Sequence, residues 1–289
     1  MKNASSFFKN TLIYTGGFIL ILIILSIILR IYYIYFKSPS KQFYQLKKDG
    51  LCVVKKLLSD RDIKKIKEYV EDGRTLEAKE FIVHSKKIQS RIERILGPEY
   101  QFHDYIFSIK RSQIHTCHRD YNGDFFNKEQ KYPSYTIIIY LENMEKCLDI
   151  IPQSHKNLHS NLFNLTDPTE SVLCNAGDAL LFNANLIHNG SINAKEDNMR
   201  IQMKISHKVD QKTLHFYQNY NRELDKSNTT SKMNKHFIKH VSCQFPVIGL
   251  FTQQYDYDIT KNSDHVGSSI FSKLFYGDSN FYDLKKLTK

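Results

Sequence analysis

The run from Thr11 to Leu29, TLIYTGGFILILIILSIIL, restricts this chain more than any other stretch: nineteen positions pass without a charge. About 20 apolar residues span the hydrocarbon of a bilayer as a helix, which satisfies every backbone N–H and C=O within itself. A cleaved secretory signal has a shorter apolar region, roughly 7–15 residues, closed by a small-residue site. This run continues instead through Arg30 into Tyr32, Tyr33, Tyr35 and Phe36, aromatic residues suited to a membrane–water interface, with Lys37 beyond. Residues 11–36 therefore read as a single transmembrane helix after a tail, residues 1–10. Arg30, Lys37, Lys41, Lys47 and Lys48 outnumber Lys2 and Lys9, which favours a cytosolic carboxy-terminal part. Asn-x-Ser/Thr triplets at Asn164, Asn189 and Asn228 point the other way, so the side of the membrane stays open.

Beyond the hinge Ser38-Pro39-Ser40 the pattern runs from helices to strands. Ser59 and Asp62 open a helix by a capping box, with Ile63, Ile66 and Val70 on one face. Glu77 to Leu96 holds one or two further helices, stopped at Gly97-Pro98. From Tyr100 onward come short β-branched or aromatic runs: QFHDYIFSIK, YTIIIYL, CLDIIP, SVLCNA, ALLFNA and MRIQMKIS. The fold class is therefore mostly β with flanking helices, an antiparallel sandwich or jelly roll. After His207 the chain turns polar, and only a helix near Met233–Val241 is placed there. The chain carries 41 Lys+Arg against 30 Asp+Glu, but the lysines are scattered on amphipathic segments. That describes a solvated surface, and no nucleic-acid partner is expected. Five cysteines (52, 117, 147, 174, 243) show no metal-like spacing, and their odd number argues against a complete disulfide framework.

Three stretches carry chemistry. In His118-Arg119-Asp120, extended backbone would aim His118 and Asp120 to one side and turn Arg119 away. Two such ligands need one more from elsewhere to build the two-histidine, one-carboxylate face that holds non-haem iron. His-Arg-Asp also opens a protein-kinase catalytic loop, but Phe125 stands where that loop needs Asn, and the other kinase motifs are missing. The second stretch runs from Asn175 to Gly190: a Gly177-Asp178 turn, a strand over Ala179–Phe182, then His188. In the third, Met199 to Ser206 alternates, with Arg200, Gln202, Lys204 and Ser206 on the polar face. An arginine inside a barrel needs an anion, and its fork matches a carboxylate.

His118-x-Asp120, His188 and Arg200, in this order and spacing, resemble the phytanoyl-CoA dioxygenase (PhyH-like) family of Fe(II)/2-oxoglutarate dioxygenases. Lys48-Asp49-Gly50-Leu51-Cys52-Val53-Val54 is similar to that family's amino-terminal opening. Cys147-Leu148 and Ile151-Pro152-Gln153-Ser154-His155-Lys156 resemble its "gcL…iPgSHk" turn, with Lys146 and Gln153 where glycine is usual. The likeness spans residues 41–207 and leaves 208–289 as an extension of unknown role. It implies a double-stranded β-helix in which His118, Asp120 and His188 hold Fe(II) and Arg200 binds the far carboxylate of 2-oxoglutarate. Ascorbate is a possible addition. It further implies hydroxylation of a C–H bond in a small-molecule or lipid substrate, because related halogenases have a small residue where Asp120 stands.

Two other classes compete: a catalytically inactive jelly-roll binding module at a membrane surface, and zinc-dependent hydrolysis at the same triad. Neither uses Arg200. His103, His115 and His155 read as hydrogen-bonded strand or loop residues, Cys117 as packing, and Tyr121 and Gln202 as possible pocket lining. The substrate and the oligomeric state are not legible.

Overall fold

The computed structural model describes residues 2–32, 43–111, 114–120, 130–156, 169–193, 197–246 and 266–288. The hinge at 38–40, most of the aromatic belt and Tyr121 fall outside them. Helix α1 (Lys2–Tyr32) contains the apolar span. Asn10–Leu29 has a mean hydropathy of 2.8 and is almost wholly uncovered by the rest of the protein, so by length and composition it can cross a membrane. A one-turn helix, α2 (Leu46–Asp49), ends at Gly50 (φ +86), where a Cβ would meet His155 and Leu186.

Three amphipathic helices follow strand β1 (Leu51–Val54): α3 (Asp60–Glu71), α4 (Thr75–Val83) and α5 (Lys86–Leu96). The capping box at α3 is present, with Ser59 Oγ accepting from the Asp62 N–H (3.2 Å) and Asp62 accepting from the Ser59 N–H (3.0 Å). Glu77–Leu96 divides into two helices because Ser85 caps α5 through the Ile88 N–H. Ile66, Val70, Ala78, Ile82, Ile88 and Ile92 are buried against one face of a sheet.

The remaining strands are β2 (Tyr100–Phe102), β3 (Tyr105–Arg111), β4 (Tyr135–Tyr140), β5 (Leu148–Ile150), β6 (Glu170–Val172), β7 (Ala179–Asn183), β8 (His188–Gly190), β9 (Asp197–His207), β10 (Tyr220–Asp225) and β11 (Lys285–Lys286). They form a large sheet in the order β1-β7-β4-β9-β3-β10-β11, with β2 also on β9, and a small sheet β6-β5-β8. A bridge between His118 and His188 adds a fourth chain segment to the small sheet. From β3 to β9 the chain passes between the two sheets in the order of a jelly roll. Strand alternation separates two cores. Ile137, Ile139, Leu181, Ile201 and Met203 face the helices. Ile138, Tyr140, Leu180 and Phe182 face Leu148, Ile150 and Val172 of the small sheet.

The carboxy-terminal part brings a departure from an all-antiparallel sandwich. After β9 the chain crosses over through residues 208–219, so β10 pairs with β3 in parallel, Tyr220 opposite Tyr105. Helix α6 (Lys232–Gln244) lies on the outer face of the small sheet, where buried Lys239 pairs with Asp149. Helix α7 (Val266–Tyr276) packs beside it, with Phe275 and Tyr276 in one core with Phe107, Ile109 and Ile238.

The cysteine count misleads. Cys117 is bonded to Cys243 and Cys147 to Cys174, leaving Cys52 as the odd thiol, pushed up to about 12 by burial. An odd number is compatible with two bridges plus one half-buried thiol, and Cys117 ties α6 to the small sheet rather than merely packing.

Candidate metal centre

His118 lies in extended backbone just beyond any regular strand, held to His188 by a reciprocal pair of hydrogen bonds. Each N–H donates to the other residue's carbonyl at 2.9 Å. Directly opposed residues of an antiparallel bridge point their side chains the same way. The two imidazoles therefore sit side by side, centroids 4.4 Å apart, with the Phe182 ring 4.5 Å from that of His188. Arg119 points elsewhere, as the alternation requires. Its guanidinium donates to the carbonyls of Asn185 and Ser154 (3.0 Å for Ser154), anchoring the segment to two loops.

The orientation of each ring is set by its second nitrogen. Nδ1 of His118 donates to the Thr116 carbonyl (2.8 Å) and Nδ1 of His188 to the Leu186 carbonyl (2.9 Å). With Nδ1 protonated in that way, Nε2 of both rings carries the lone pair a metal needs. Asp120 Oδ1 lies 3.8 Å from each Nε2. All three residues are buried, and their ligand atoms fall within 4.8 Å of one another. This donor set, two neutral nitrogens and one carboxylate oxygen on one side of a space, suits a divalent transition metal.

Burial pushes the His118 imidazole down to about 3, helped by the neighbouring His188, and lowers His188 as well. Burial alone would favour the neutral acid at Asp120. The adjacent Lys204, with His188 and His118, outweighs it and holds the carboxyl well below the usual range. Neutral imidazoles beside an ionised carboxylate are the protonation states that ligation requires.

Sequence reasoning did not single out two groups here. Asp120 Oδ2 is held by Lys204 Nζ (2.7 Å) and by the Thr136 hydroxyl, and Lys204 also reaches Thr136 at 2.8 Å. Thr136 and Lys204 are register partners on β4 and β9. The available signal was the polar face of β9, where Lys204 shares a side with Arg200; only the register connects it to Asp120.

Arg200 is buried on the same interior face, opposite Tyr140 and Ile109. It sits four residues before Lys204, about 13 Å along the strand at the usual rise. Its guanidinium donates to the Asn198 carbonyl (3.1 Å) and to the Asn198 side chain. Asp178, the carboxylate that could have claimed it, instead accepts from Lys55, Lys56 and Asn175. Half-buried Gln202 lies between Arg200 and Lys204 on this face. His103 bonds Ser206 and His115 bonds Asn228, as non-ligand histidines should.

The phytanoyl-CoA dioxygenase (PhyH) family profile matches residues 73–201. Among solved structures, the chain is similar to the non-haem α-ketoglutarate-dependent epimerase SnoN from nogalamycin biosynthesis, at 14% identity and a TM-score of 0.46, over 56% of this chain and 79% of that one. It is similar to iron-bound HygX from Streptomyces hygroscopicus at 11% identity and TM-score 0.45, over 57% and 85% of the two chains. EvdO2 from Micromonospora carbonacea var. aurantiaca gives 11% identity and TM-score 0.45, over 56% and 88%. No curated protein sequence matches the chain. The likeness to the phytanoyl-CoA dioxygenase (PhyH) family thus covers residues 73–201, the stretch that carries His118, Asp120, His188 and Arg200.

Proposed function

We propose that this protein is a membrane-anchored hydroxylase acting on a small-molecule or lipid-like substrate, with α1 as the anchor. His118 Nε2, His188 Nε2 and Asp120 Oδ1 are the residues that would hold Fe(II), and Arg200 the one that would take the distal carboxylate of 2-oxoglutarate. When bound, the iron and 2-oxoglutarate would let molecular oxygen oxidise a C–H bond to an alcohol, one oxygen atom going to the alcohol and the other to succinate as carbon dioxide is released. The chain's own residues prepare the site. The Thr116 and Leu186 carbonyls keep both imidazoles in the ligating tautomer. Lys204 and Thr136 hold Oδ2 of Asp120, with Oδ1 turned toward the two imidazoles. Phe182, Ile138, Tyr140 and Leu180 close the interior with apolar surface that excludes water. Arg200 presents a planar fork for a carboxylate on the interior face of β9.

The observation that carries this reading is the convergence of the neighbouring pair His118 and Asp120 with His188, 70 residues after His118, each already oriented for ligation. The full chain in detergent, given Fe(II), ascorbate and labelled 2-oxoglutarate, should form succinate; His118→Ala and Asp120→Ala should abolish it. Failure to bind 2-oxoglutarate anaerobically in the presence of Fe(II) would overturn the reading. The two disulfides favour placing the catalytic domain on an oxidising, non-cytosolic side, against the count of flanking lysines and arginines. Alkylation of the unreduced, unfolded protein should then modify Cys52 alone.

A further inference from the structure

The carboxy-terminal helices carry apolar side chains that the protein itself does not cover. On α6, Met233 and Phe237 are 82% and 55% exposed; on α7, Ile270 and Leu274 are 66% and 61% exposed. Each pair is spaced i, i+4, so each forms one stripe on its helix. The helices pack together, with the Thr230 hydroxyl donating to the Phe275 carbonyl and Ile238 sharing a core with Phe275. Exposed Lys232 and Lys273 belong to the same two helices. Burying such stripes is favourable, so their exposure in one region suggests an apolar phase outside the protein.

Contact with α1 identifies that phase. Helix α1 packs on α6 through Ile23, Ser26 and Ile27, the residues of the apolar span that the domain covers in part or in full. Gln244, at the end of α6, donates to the Ile23 carbonyl at 3.2 Å. Ile23 lies six residues before Leu29, the domain-side end of the span. At 1.5 Å per residue this is about 9 Å inside the apolar stretch. An amphipathic helix lying in a membrane interface buries its apolar face to about 5–10 Å. The depth set by Gln244 and the exposed stripes therefore agree.

We propose that α6 and α7 together form a lipid-docking face that seats the domain in the bilayer surface beside α1, with Lys232 and Lys273 at the level of anionic headgroups. This rests on the reading of α1 as an anchor and goes beyond it: the domain lies on the membrane instead of swinging on a tether. It also assigns the extension after residue 207 a role.

The chain has no tryptophan, so each introduced one is the sole such reporter. Phe18→Trp on α1, Phe237→Trp on α6, Leu274→Trp on α7 and Ile95→Trp on the helical layer across the large sheet are made in the full chain. Each is reconstituted in phosphatidylcholine–phosphatidylserine vesicles with acyl-chain-brominated lipid. The proposal expects positions 18, 237 and 274 to lose most of their emission to the brominated lipid while position 95 keeps its own. Quenching at 18 but not at 237 and 274 overturns the docking face and leaves the anchor standing. Blue-shifted emission at 237 and 274 without quenching means protein, such as a second copy, covers the stripes, and also overturns it. Absence of quenching at 18 defeats the anchor, and the docking face with it.

Discussion

Asp120 divides its two oxygens between two tasks, one turned to the imidazoles and the other held by Lys204 and Thr136. Removing Lys204 should therefore loosen the carboxylate without deleting a ligand. Lys204→Met is expected to weaken Mn(II) or Co(II) binding by about 10–100-fold, the usual cost of losing a group that orients a metal ligand, read by calorimetric titration. Unchanged affinity would mean that Asp120 needs no such support. Gln153 illustrates the other side of residue-scale reasoning. It takes a left-handed conformation (φ +66) where the family usually has glycine. Gln153→Gly relieves a penalty of about 1–2 kcal/mol and incurs somewhat less in chain entropy, so a small gain in stability, under about 1 kcal/mol, should appear in urea unfolding. The motif spacing singled out His118, Asp120 and His188, which the fold brings together, because two of them are local and the third follows a turn signature. Lys204 stayed hidden because its relevance depends on which residue of β4 stands opposite.

At the scale of elements, α3 to α5 and most of the strands are legible from periodicity and caps alone. The capping box at Ser59 shows why: its two hydrogen bonds join residues three apart. Ser59→Ala should cost about 1 kcal/mol in stability, read by urea unfolding. Helix α6 is the contrary case. Its polar composition gives a weak pattern, and its position comes from three distant ties: the disulfide to Cys117, the buried ion pair with Asp149, and the Ser242 hydroxyl accepting from the Cys117 N–H at 2.8 Å. The bridge between Cys117 and Cys243 closes 126 residues of sequence. Cys243→Ser should lower stability by up to about 4–5 kcal/mol on the loop-entropy account, read by denaturant unfolding. Because Cys117 adjoins His118, the same variant should also weaken metal binding. Unaltered affinity would show that the bridge supports α6 alone.

For the molecule as a whole, pH tests how much of its polar interior was assembled by folding. Burial, assisted by Lys204, pushes His103 down to about 4. The unfolded chain takes up that proton near 6.5 and the folded one does not, so stability is complete above about 6.5 and falls as pH drops toward 4. For this one group the loss amounts to about 3 kcal/mol at the lower end. His103→Gln should flatten the slope of unfolding free energy over that window. An unchanged slope would place the acid sensitivity on other groups.

By itself, the sequence determined what short-range physics can encode: an apolar span long enough for a bilayer, helices marked by caps, strands marked by alternation, and the residue types of a candidate metal site. Those signals act over a few residues, so they survive in a one-dimensional reading. The tertiary structure alone decided which cysteines meet, that β10 runs parallel to β3, that Lys204 faces Asp120, and that α6 lies between the small sheet and α1. Each of these depends on the register and stacking of segments tens to hundreds of residues apart, which are set by burying all of them together.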